Sequence, residues 1–427
     1  MGEQAAATLS FAHGLSRAEE AGAAAAEVVE QLEAGLAAKA DAAPPEAAAP
    51  AVDLLILFAG KDFTLRLGEI LGPLRQRLRP TVLIGMTTQG VLAGGDEVED
   101  AASLSALAAR LPGVTLSPFA WDQMDWPELV DDDGAALRAR LFEDQGRAGD
   151  DCRAVLLFGD PFTCPTVRLL PAFEKALPGV PVVGGMASAG VRPGANRLVC
   201  NGEINDSGAV GVALAGPVHV RSTVSQGCRP IGKPMVITRS KRHVVQELAG
   251  RPALEVLREL ALDLDAHDQR LAMDSGLFIG RVVDEYKPRF GPGDFLIRGI
   301  AGVDPERGYL AVGDPQVRTG QTIQLHVRDA AAARDDLALM LDAQRLHGPP
   351  AGALLMTCTG RGEDFFGEAH VDTHLVRQAL GDAPLAGGFA NGELGPVGER
   401  NHLHAHAVSL LAFRPVSEPA DDSALNG

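Results

Sequence analysis

The chain has 427 residues, of which 46% are hydrophobic and only 4% aromatic, and its formal net charge is 38 − 56 = −18. A chain of this length and apolar content is expected to form more than one compact core, built mainly from aliphatic, alanine and glycine residues. The acidic balance argues against a general binder of nucleic acids or anionic membranes, because both require a basic surface.

Several features indicate the compartment. The sequence contains no run of about 18 apolar residues, and its first residues lack the basic and hydrophobic regions of a secretory signal. The five cysteines are odd in number and show no Cys-x-x-Cys spacing. This pattern fits reduced thiols and neither a disulfide framework nor a zinc ribbon. We therefore predict a cytoplasmic protein with no membrane-spanning helix.

In chain order, an alanine-rich helix is predicted up to about residue 36, followed by a Pro/Ala linker at 39–50. A buried strand (53–58), a helix (65–78) and a second strand that ends in a small-residue loop (81–90) come next. The acidic residues after that loop are expected on a solvated face: Glu97, Glu99 and Asp100. Residues 101–110 are predicted to be helical.

The strand–helix–strand unit recurs twice. Residues 154–160 and 181–190 repeat its two strands and place Gly185 and Met186 at the positions of Gly85 and Met86. A third copy comprises strand 353–358, helix 371–380, and strand and loop 384–392. The two strands of each copy are roughly thirty residues apart, which suits a βαβ crossover. These repeats predict a two-lobed, mixed α/β (α+β) fold with loops for a ligand at strand carboxyl ends.

The segment between the second and third copies has a different pattern. It contains short apolar runs separated by turns, with a helix at 253–262 and another at 330–346. The residues Asp304, Pro305 and Gly308 have the chemistry of a hairpin turn. An antiparallel β meander is therefore predicted in the C-terminal half.

The third copy carries the polar residues that suit a small ligand. Arg361 follows its first strand and could clamp a carboxylate with both arms of its guanidinium, while Cys358 would line the pocket. The alternative is a surface arginine beside a buried cysteine. A nucleophilic Cys358 would need a nearby base and a lowered pKa. Asn391 and Glu393, after the second strand, could accept hydrogen bonds from an α-amino group; alternatively, Asn391 is left-handed in a turn and Glu393 is in solvent.

Other candidates are weaker. Arg298 interrupts an apolar strand, so it lies on the outer face or is paired inside, and we retain it as a ligand-binding candidate. His402, His404 and His406 alternate and would share one face of a strand, which fits a metal or a polar edge strand equally well. No nearby carboxylate or cysteine completes a ligand set. We predict neither a metal site nor catalytic residues.

The paired glycines do not indicate a nucleotide site. Gly184 and Gly185, like Gly387 and Gly388, lie outside any Gly-x-Gly-x-x-Gly or Walker pattern, so no cofactor is predicted. Instead, these glycines are expected to permit close packing or to turn backbone amides toward a ligand.

Several sequence blocks, taken in order, resemble the FIST family, in which a FIST N domain precedes a FIST C domain. They are Ile84-Gly-Met-Thr-Thr-Gln-Gly-Val91 with Glu97, Val182-Val-Gly-Gly-Met-Ala187, Gly227-Cys-Arg-Pro-Ile-Gly232, Gly250-Arg-Pro-Ala253, Phe295-Leu-Ile-Arg-Gly-Ile300, Cys358-Thr-Gly-Arg-Gly362 and the run from Gly387 to Pro396. The resemblance covers roughly residues 11–415. It implies an N-terminal helix and linker (1–50), a FIST N-like domain (51–216), a FIST C-like domain (217–415) and a disordered tail (416–427).

The resemblance implies a sensory protein that binds a small ligand, such as an amino acid, rather than an enzyme. Because no segment is left over for a kinase or cyclase module, signalling would require a protein partner. Two alternatives stay open at this point. One is an enzyme of acyl or amide chemistry that uses Cys358, and the other is an acidic scaffold for protein interactions.

Overall fold

The computed structural model describes residues 9–39, 52–131, 133–143, 146, 149–291 and 293–416. The predicted Pro/Ala linker after Lys39 and the predicted tail after Val416 lie outside these residues. In the described part of the chain, no helix is long and apolar enough to span a bilayer.

The helices are as follows: α1 Ala21–Ala37, α2 Leu67–Leu78, α3 Trp126–Asp131, α4 Ala135–Leu141, α5 Thr166–Ala176, α6 Ala253–Asp263, α7 Ala266–Ser275, α8 Ala330–Arg345, α9 Glu363–Phe366 and α10 Val371–Leu380. A 3-10 turn at Lys61–Phe63 precedes α2.

The strands of the first half are β1 Ser10–Ser16, β2 Leu54–Gly60, β3 Val82–Thr88, β4 Val91–Ala93, β5 Asp96–Val98, β6 Leu104–Arg110, β7 Thr115–Trp121, β8 Cys152–Gly159, β9 Val182–Met186, β10 Leu198–Cys200, β11 Glu203–Asn205 and β12 Ala209–Ala215. Those of the second half are β13 Val218–Gln226, β14 Cys228–Lys241, β15 Val244–Leu248, β16 Arg251–Pro252, β17 Phe278–Val282, β18 Phe295–Asp304, β19 Tyr309–Val312, β20 Thr322–Arg328, β21 Gly352–Cys358, β22 Leu385–Ala390, β23 Glu393–Val397, β24 Arg400–His404 and β25 Ala407–Pro415.

The three predicted units are confirmed, because each forms a parallel strand pair joined by a helix. The pairs are β2 with β3, β8 with β9, and β21 with β22. Apart from the first two residues of β8, both members of each pair are buried on both faces, as expected for parallel strands covered by helices. The mixed α/β class is therefore correct.

Each unit lies in its own six-stranded sheet. The orders are β1-β6-β2-β3-β10-β11, β24-β23-β9-β8-β12-β7 and β13-β25-β21-β22-β4-β5. The helix predicted at 101–110 is wrong, since most of that segment forms strand β6. This strand pairs with β1 on one side and β2 on the other and is almost entirely buried, so sheet pairing overrides the helical preference of its alanines.

The three units exchange strands in a cycle. The strand that follows each unit joins the sheet of another unit: β4 pairs with β22, β10 with β3, and β23 with β9. The registers are equivalent, because Gly388 lies opposite Val91, Gly85 opposite Val199, and Gly185 opposite Glu393. The units are thus related by an approximate threefold arrangement, and neither half of the chain can complete its sheets alone.

This exchange brings the carboxyl ends of the inner strands together. The Ser188 amide donates to the Thr87 carbonyl (3.2 Å). The Phe389 amide donates to the Gly90 carbonyl (3.0 Å), and the Asn391 amide to that of Met186 (2.9 Å). A continuous core beneath this meeting point includes Phe58 and Phe158, whose ring centroids lie 5.4 Å apart.

The predicted antiparallel meander is also confirmed. A seven-stranded sheet has the order β14-β20-β17-β18-β19-β15-β16, and a further pairing of β14 with β15 makes it barrel-like. All of these pairings are antiparallel. Its apolar interior contains Ile237, Leu310 and Ile323. The barrel is inserted between β13 and α8, and its last strand ends beside the third unit.

Candidate functional site

A cleft of about 480 Å³ opens where the carboxyl ends of β3, β20 and β21 approach one another. We call it the strand-end cleft. Its walls come from three regions of the fold: the β3 loop and the segment after β5, helix α7 with the end of β20, and the loop after β21. The lining residues are Gln89, Glu99, Asp100, Leu271, Asp274, Ser275, Arg328, Ala330, Thr359, Gly360, Gly362, Asp364 and Phe365. Its volume falls in the usual range for small-molecule sites, roughly 300–1,000 Å³.

Arg328 is the cation of this cleft. Its guanidinium carbon lies 4.5 Å from the centre of the Phe365 ring, and its Nη2 donates to the Gly360 carbonyl. Its buried Nε has no hydrogen-bond partner, and no carboxylate pairs with it, among the residues that the structure describes. Burial lowers the pKa of Arg328, so an anion placed there would be stabilised by an otherwise uncompensated charge.

Four carboxylates also line the cleft, on residues Glu99, Asp100, Asp274 and Asp364. Glu99 is half-buried and accepts a hydrogen bond from the Glu363 amide at the start of α9 (2.8 Å). Burial raises its pKa. The cleft thus combines one guanidinium with four carboxylates among its lining residues.

Glu97 does not lie on the solvated face that was expected for it. Its side chain is 6% exposed, and its Oε1 accepts from the Thr373 amide in the first turn of α10 (2.8 Å). Burial and the neighbouring Asp372 raise the pKa of Glu97 to about 7. The interaction ties the segment after β4 to the helix of the third unit, because a helix N-terminus presents unpaired amides.

The predicted Arg361 clamp exists, but its partner is Asp372 of the same chain. Both side chains are fully buried, with Nε–Oδ2 at 2.9 Å and Nη2–Oδ1 at 2.8 Å. Thr357 Oγ1 also donates to Asp372 (2.6 Å). The alternative of a surface arginine is therefore wrong. Of the three guanidinium nitrogens of Arg361, only Nη1 lacks a hydrogen-bond partner within the described ranges.

Cys358 and Glu393 complete the buried cluster under the loop of the cleft. Glu393 is fully buried, not in solvent, and its Oε2 accepts from the Ala407 amide (3.1 Å). Its Oε1 has no N–H or O–H partner in the part of the chain that the structure describes. Burial raises the pKa of Glu393 to about 8, and burial together with Glu393 raises that of Cys358 to about 12. Three of the five ligand-binding candidates, Cys358, Arg361 and Glu393, thus lie together. They form a buried cluster beneath the cleft and are not among its lining residues.

The other two candidates lie apart from this cluster. Asn391 is exposed, and the left-handed residue of its turn is Gly392 (φ 118°). Arg298 lies in the barrel, where its Nε is 3.6 Å from Oδ2 of Asp314, which Arg281 also contacts at 2.8 Å. Its side chain is 15% exposed. Of the two alternatives for Arg298, the outer-face position is therefore wrong, and the internal pair is correct.

The three histidines do not share one face. His402 and His404 belong to β24, but His406 lies in the following turn with a positive φ of 56°. His404 Nε2 donates to the Gly395 carbonyl (3.0 Å). In the described ranges no group of three or more histidine, cysteine or acidic side chains could hold a metal ion.

Glu393 gives a pH-dependent prediction. Between about pH 4.5 and pH 8 its folded carboxyl group retains a proton that the unfolded chain releases, so this group lowers the free energy of unfolding as pH rises. The slope is at most about 1.4 kcal/mol per pH unit. We expect Glu393→Gln to remove this pH dependence of the free energy of unfolding, so that the variant becomes more stable relative to the wild type as pH increases. Urea unfolding at pH 5, 6.5 and 8 measures this, with exposed Glu399→Gln as the control; parallel curves for Glu393→Gln and the wild type would contradict it.

Sequence reasoning missed Arg328 and the role of Glu99. Arg328 ends a strand of the inserted barrel and comes from a different region of the chain than the loop that it faces. The only local signal was Asp329, which caps α8 through the amides of Ala331 and Ala332 and so fixes the end of β20. Nothing in the sequence pattern placed that strand end beside Gly360.

The architecture defines a class: a mixed α/β protein of three interlocked strand–helix–strand units with an inserted antiparallel barrel. The FIST N domain matches residues 53–251, and the FIST C domain matches residues 253–396. The chain therefore belongs to the FIST family, whose domains are associated with sensing and with small-ligand binding.

Relatives match over most of their length. The uncharacterized protein Rv0628c of Mycobacterium tuberculosis is 40% identical over 362 residues, which cover 84% of this chain and 91% of that protein. The uncharacterized protein Mb0898c of Mycobacterium bovis is 40% identical over 370 residues, with coverages of 86% and 92%. A crystal structure of cyanuric acid hydrolase from A. caulinodans aligns with 95% of this chain and 99% of its own, at 9% identity and a TM-score of 0.34. Likeness at that score carries no argument about activity.

Proposed function

We propose that this FIST protein is a cytoplasmic sensor that binds a small zwitterion, an amino acid or a related metabolite, in the strand-end cleft and signals through a protein partner. The observation that carries the proposal is Arg328, a partly buried guanidinium that faces a cleft and has no carboxylate partner among the described residues. Buried charges are normally paired, so a partly buried guanidinium that no carboxylate pairs with in a cleft is suited to bind an anion. All five cysteines are free thiols, as a reducing compartment requires.

The distribution of charge supports a ligand with both signs. A ligand carboxylate would accept hydrogen bonds from Arg328, whose planar fork suits that geometry. A ligand ammonium would lie toward the carboxylates that line the cleft, those of Glu99, Asp274 and Asp364. In this arrangement Arg328 takes the role that the sequence assigned to Arg361, which is occupied by Asp372.

The position of the cleft supports a signalling role. A ligand there would contact the first unit, the barrel and the third unit at once, because each contributes a wall. Binding would therefore favour one relative position of these parts over others and shift the population toward it. A protein partner that recognises that position would receive the signal.

The state of Cys358 supports binding without turnover. Its Sγ lies 4.0 Å from Nδ1 of His406, but burial raises the pKa of Cys358 to about 12 and lowers that of His406 to about 4. The pair is thus a thiol beside a neutral imidazole, whereas a cysteine nucleophile needs a thiolate.

A ligand screen tests the proposal. We expect at least one of the twenty amino acids to raise the melting temperature of the full chain, since a ligand that binds only the folded state stabilises it. Arg328→Ala should weaken that binding by about 10- to 100-fold, the equivalent of losing hydrogen bonds to a charged group. The affinity of Arg328→Lys should lie between those of the wild type and Arg328→Ala, because lysine keeps the charge but lacks the planar guanidinium that donates two parallel hydrogen bonds. Calorimetric titration measures each affinity.

The matched control is Arg345→Ala, which removes an exposed arginine of α8 that pairs with Asp342 outside the cleft. Its affinity should equal that of the wild type. Equal affinities for Arg328→Ala and Arg345→Ala would exclude Arg328 from the site. Turnover of the ligand that is lost in Cys358→Ala would show an enzyme instead, and capture of a partner with no ligand effect would show a scaffold.

A further inference from the structure

A second cavity lies between helix α8 and strands β14, β18 and β20. Its volume is about 270 Å³. We call it the helix–barrel pocket and define it by Cys228, Phe295, His326, Ala332, Asp336 and Leu339. None of these residues lines the strand-end cleft. In the β14–β20 ladder, Cys228 lies directly opposite Arg328. Cys228 lines the helix–barrel pocket and Arg328 lines the strand-end cleft, so both cavities border the same strand pair.

The walls of the helix–barrel pocket are mainly apolar. The Phe295 ring packs edge-on against the His326 ring, with centroids 4.8 Å apart. Leu339 is 62% exposed at the rim, although it is a large aliphatic side chain. An apolar cavity of about 150 Å³ can hold benzene, so about 270 Å³ is enough for a substituted single ring.

Two residues that line this space, Asp336 and His326, carry hydrogen-bond acceptors. Asp336 Oδ2 accepts from the Ser225 hydroxyl (2.7 Å) and the Gln226 amide (2.9 Å). Its Oδ1 is buried and has no partner in the described part of the chain. His326 Nδ1 must donate to the Gln324 carbonyl (3.1 Å), because a carbonyl oxygen can only accept, and its other ring nitrogen is then an acceptor.

The nearby cation does not neutralise Asp336. Arg229 lines the same cavity, but its guanidinium is held by Asp268 (2.5 Å) and Asp329 (2.9 Å). Asp335 adds a second carboxylate at the pocket. A buried carboxylate oxygen without a donor is costly, and a bound cationic donor would remove that cost.

We propose that the helix–barrel pocket is a second ligand site, one that binds a small aromatic amine. The ring occupies the space between Phe295 and Leu339, and the ammonium donates to Oδ1 of Asp336. This pocket would bind its ligand through an ammonium group on Asp336, whereas the strand-end cleft would bind a carboxylate through the guanidinium of Arg328. This inference does not rest on the proposed sensor function.

Benzylamine is the probe, and the full chain is the protein. We expect calorimetric titration to show saturable binding of benzylamine, at least tenfold weaker binding of the neutral analogue benzyl alcohol, and no binding of phenylacetate. Asp336→Asn should weaken benzylamine binding at least tenfold while its remaining oxygen still accepts from Ser225 and Gln226. Asp342→Asn, on the exposed side of α8, should bind as the wild type does.

A variant that fills the space provides an independent check. Ala332→Leu places a larger side chain in the pocket and should abolish benzylamine binding without removing any charge. Arg328→Ala should leave benzylamine binding unchanged, which separates this site from the strand-end cleft. Equal binding of the three probes, or unchanged affinity in both Asp336→Asn and Ala332→Leu, would overturn the proposal.

Discussion

Replacing Arg361 with alanine is expected to lower the free energy of unfolding by about 3–5 kcal/mol, the usual cost of removing one partner from a buried ion pair. The reason is the partner that remains. Asp372 is fully buried and receives two hydrogen bonds from Arg361. Thr357 alone would then satisfy a carboxylate that cannot reach water. This result would differ from a ligand-binding defect in an intact fold, which the sequence alone suggested for Arg361.

Urea unfolding measures the loss. Arg377→Ala is the matched control, because its pair with Asp382 has a similar distance (2.9 Å) but side chains that are 59% and 88% exposed. An exposed pair contributes about 0–1 kcal/mol. The double variant Arg361→Met with Asp372→Leu should recover much of the stability, because it leaves no charge unpaired. A loss for Arg361→Ala no larger than that for Arg377→Ala would refute the structural role.

The second large effect is expected at the glycines of the parallel pairs. In each unit a glycine lies opposite a leucine of the neighbouring strand: Gly85 opposite Leu57, Gly184 opposite Leu157, and Gly387 opposite Leu355. A Cβ added at these glycines would lie 2.4, 2.0 and 1.7 Å, respectively, from the leucine carbonyl oxygen. For Gly184 and Gly387, the expectation that the paired glycines permit close packing is confirmed.

Gly184→Ala and Gly387→Ala should each lower the free energy of unfolding by about 3 kcal/mol or more, at the upper end of overpacking effects. The obstacle is backbone, which cannot rotate away as a side chain can. Gly184 also has a φ of 149°, which L-residues rarely adopt. The control is Gly299→Ala in β18, where a Cβ would meet nothing within 4 Å. Thermal unfolding with circular dichroism measures all three; similar melting temperatures for Gly184→Ala and Gly299→Ala would show that the strands can move apart.

Local patterns were sufficient for most of the fold. The apolar runs and their thirty-residue spacing identified the three parallel pairs, and turn chemistry identified the antiparallel meander. They failed at β6, because its alanines favour a helix locally whereas β1 and β2 provide partners on both sides. Whether such a segment forms a helix or a strand depends in part on partner strands that are distant in the sequence, so the residues of the segment alone do not decide it.

For the site, the sequence located the loop but not its function. It selected Cys358, Arg361 and Glu393, which do meet, yet in a buried cluster. Whether Arg361 faces a ligand or an internal carboxylate depends on Asp372, eleven residues later in helix α10. Burial is a property of the packed chain, so residue type and spacing could not distinguish a clamp for a ligand from an internal ion pair.

The sequence by itself determined the repeated unit, the alternation of strands and helices and the family, because these follow from local periodicity and from ordered blocks of residues. Only the tertiary structure decided how the units exchange β4, β10 and β23, and which side chains face the strand-end cleft. Strand exchange depends on the free edges that folding creates. The cleft is lined by both Arg328 and Glu99, which are more than two hundred residues apart in the chain, and sequence spacing carries no geometric information over that separation.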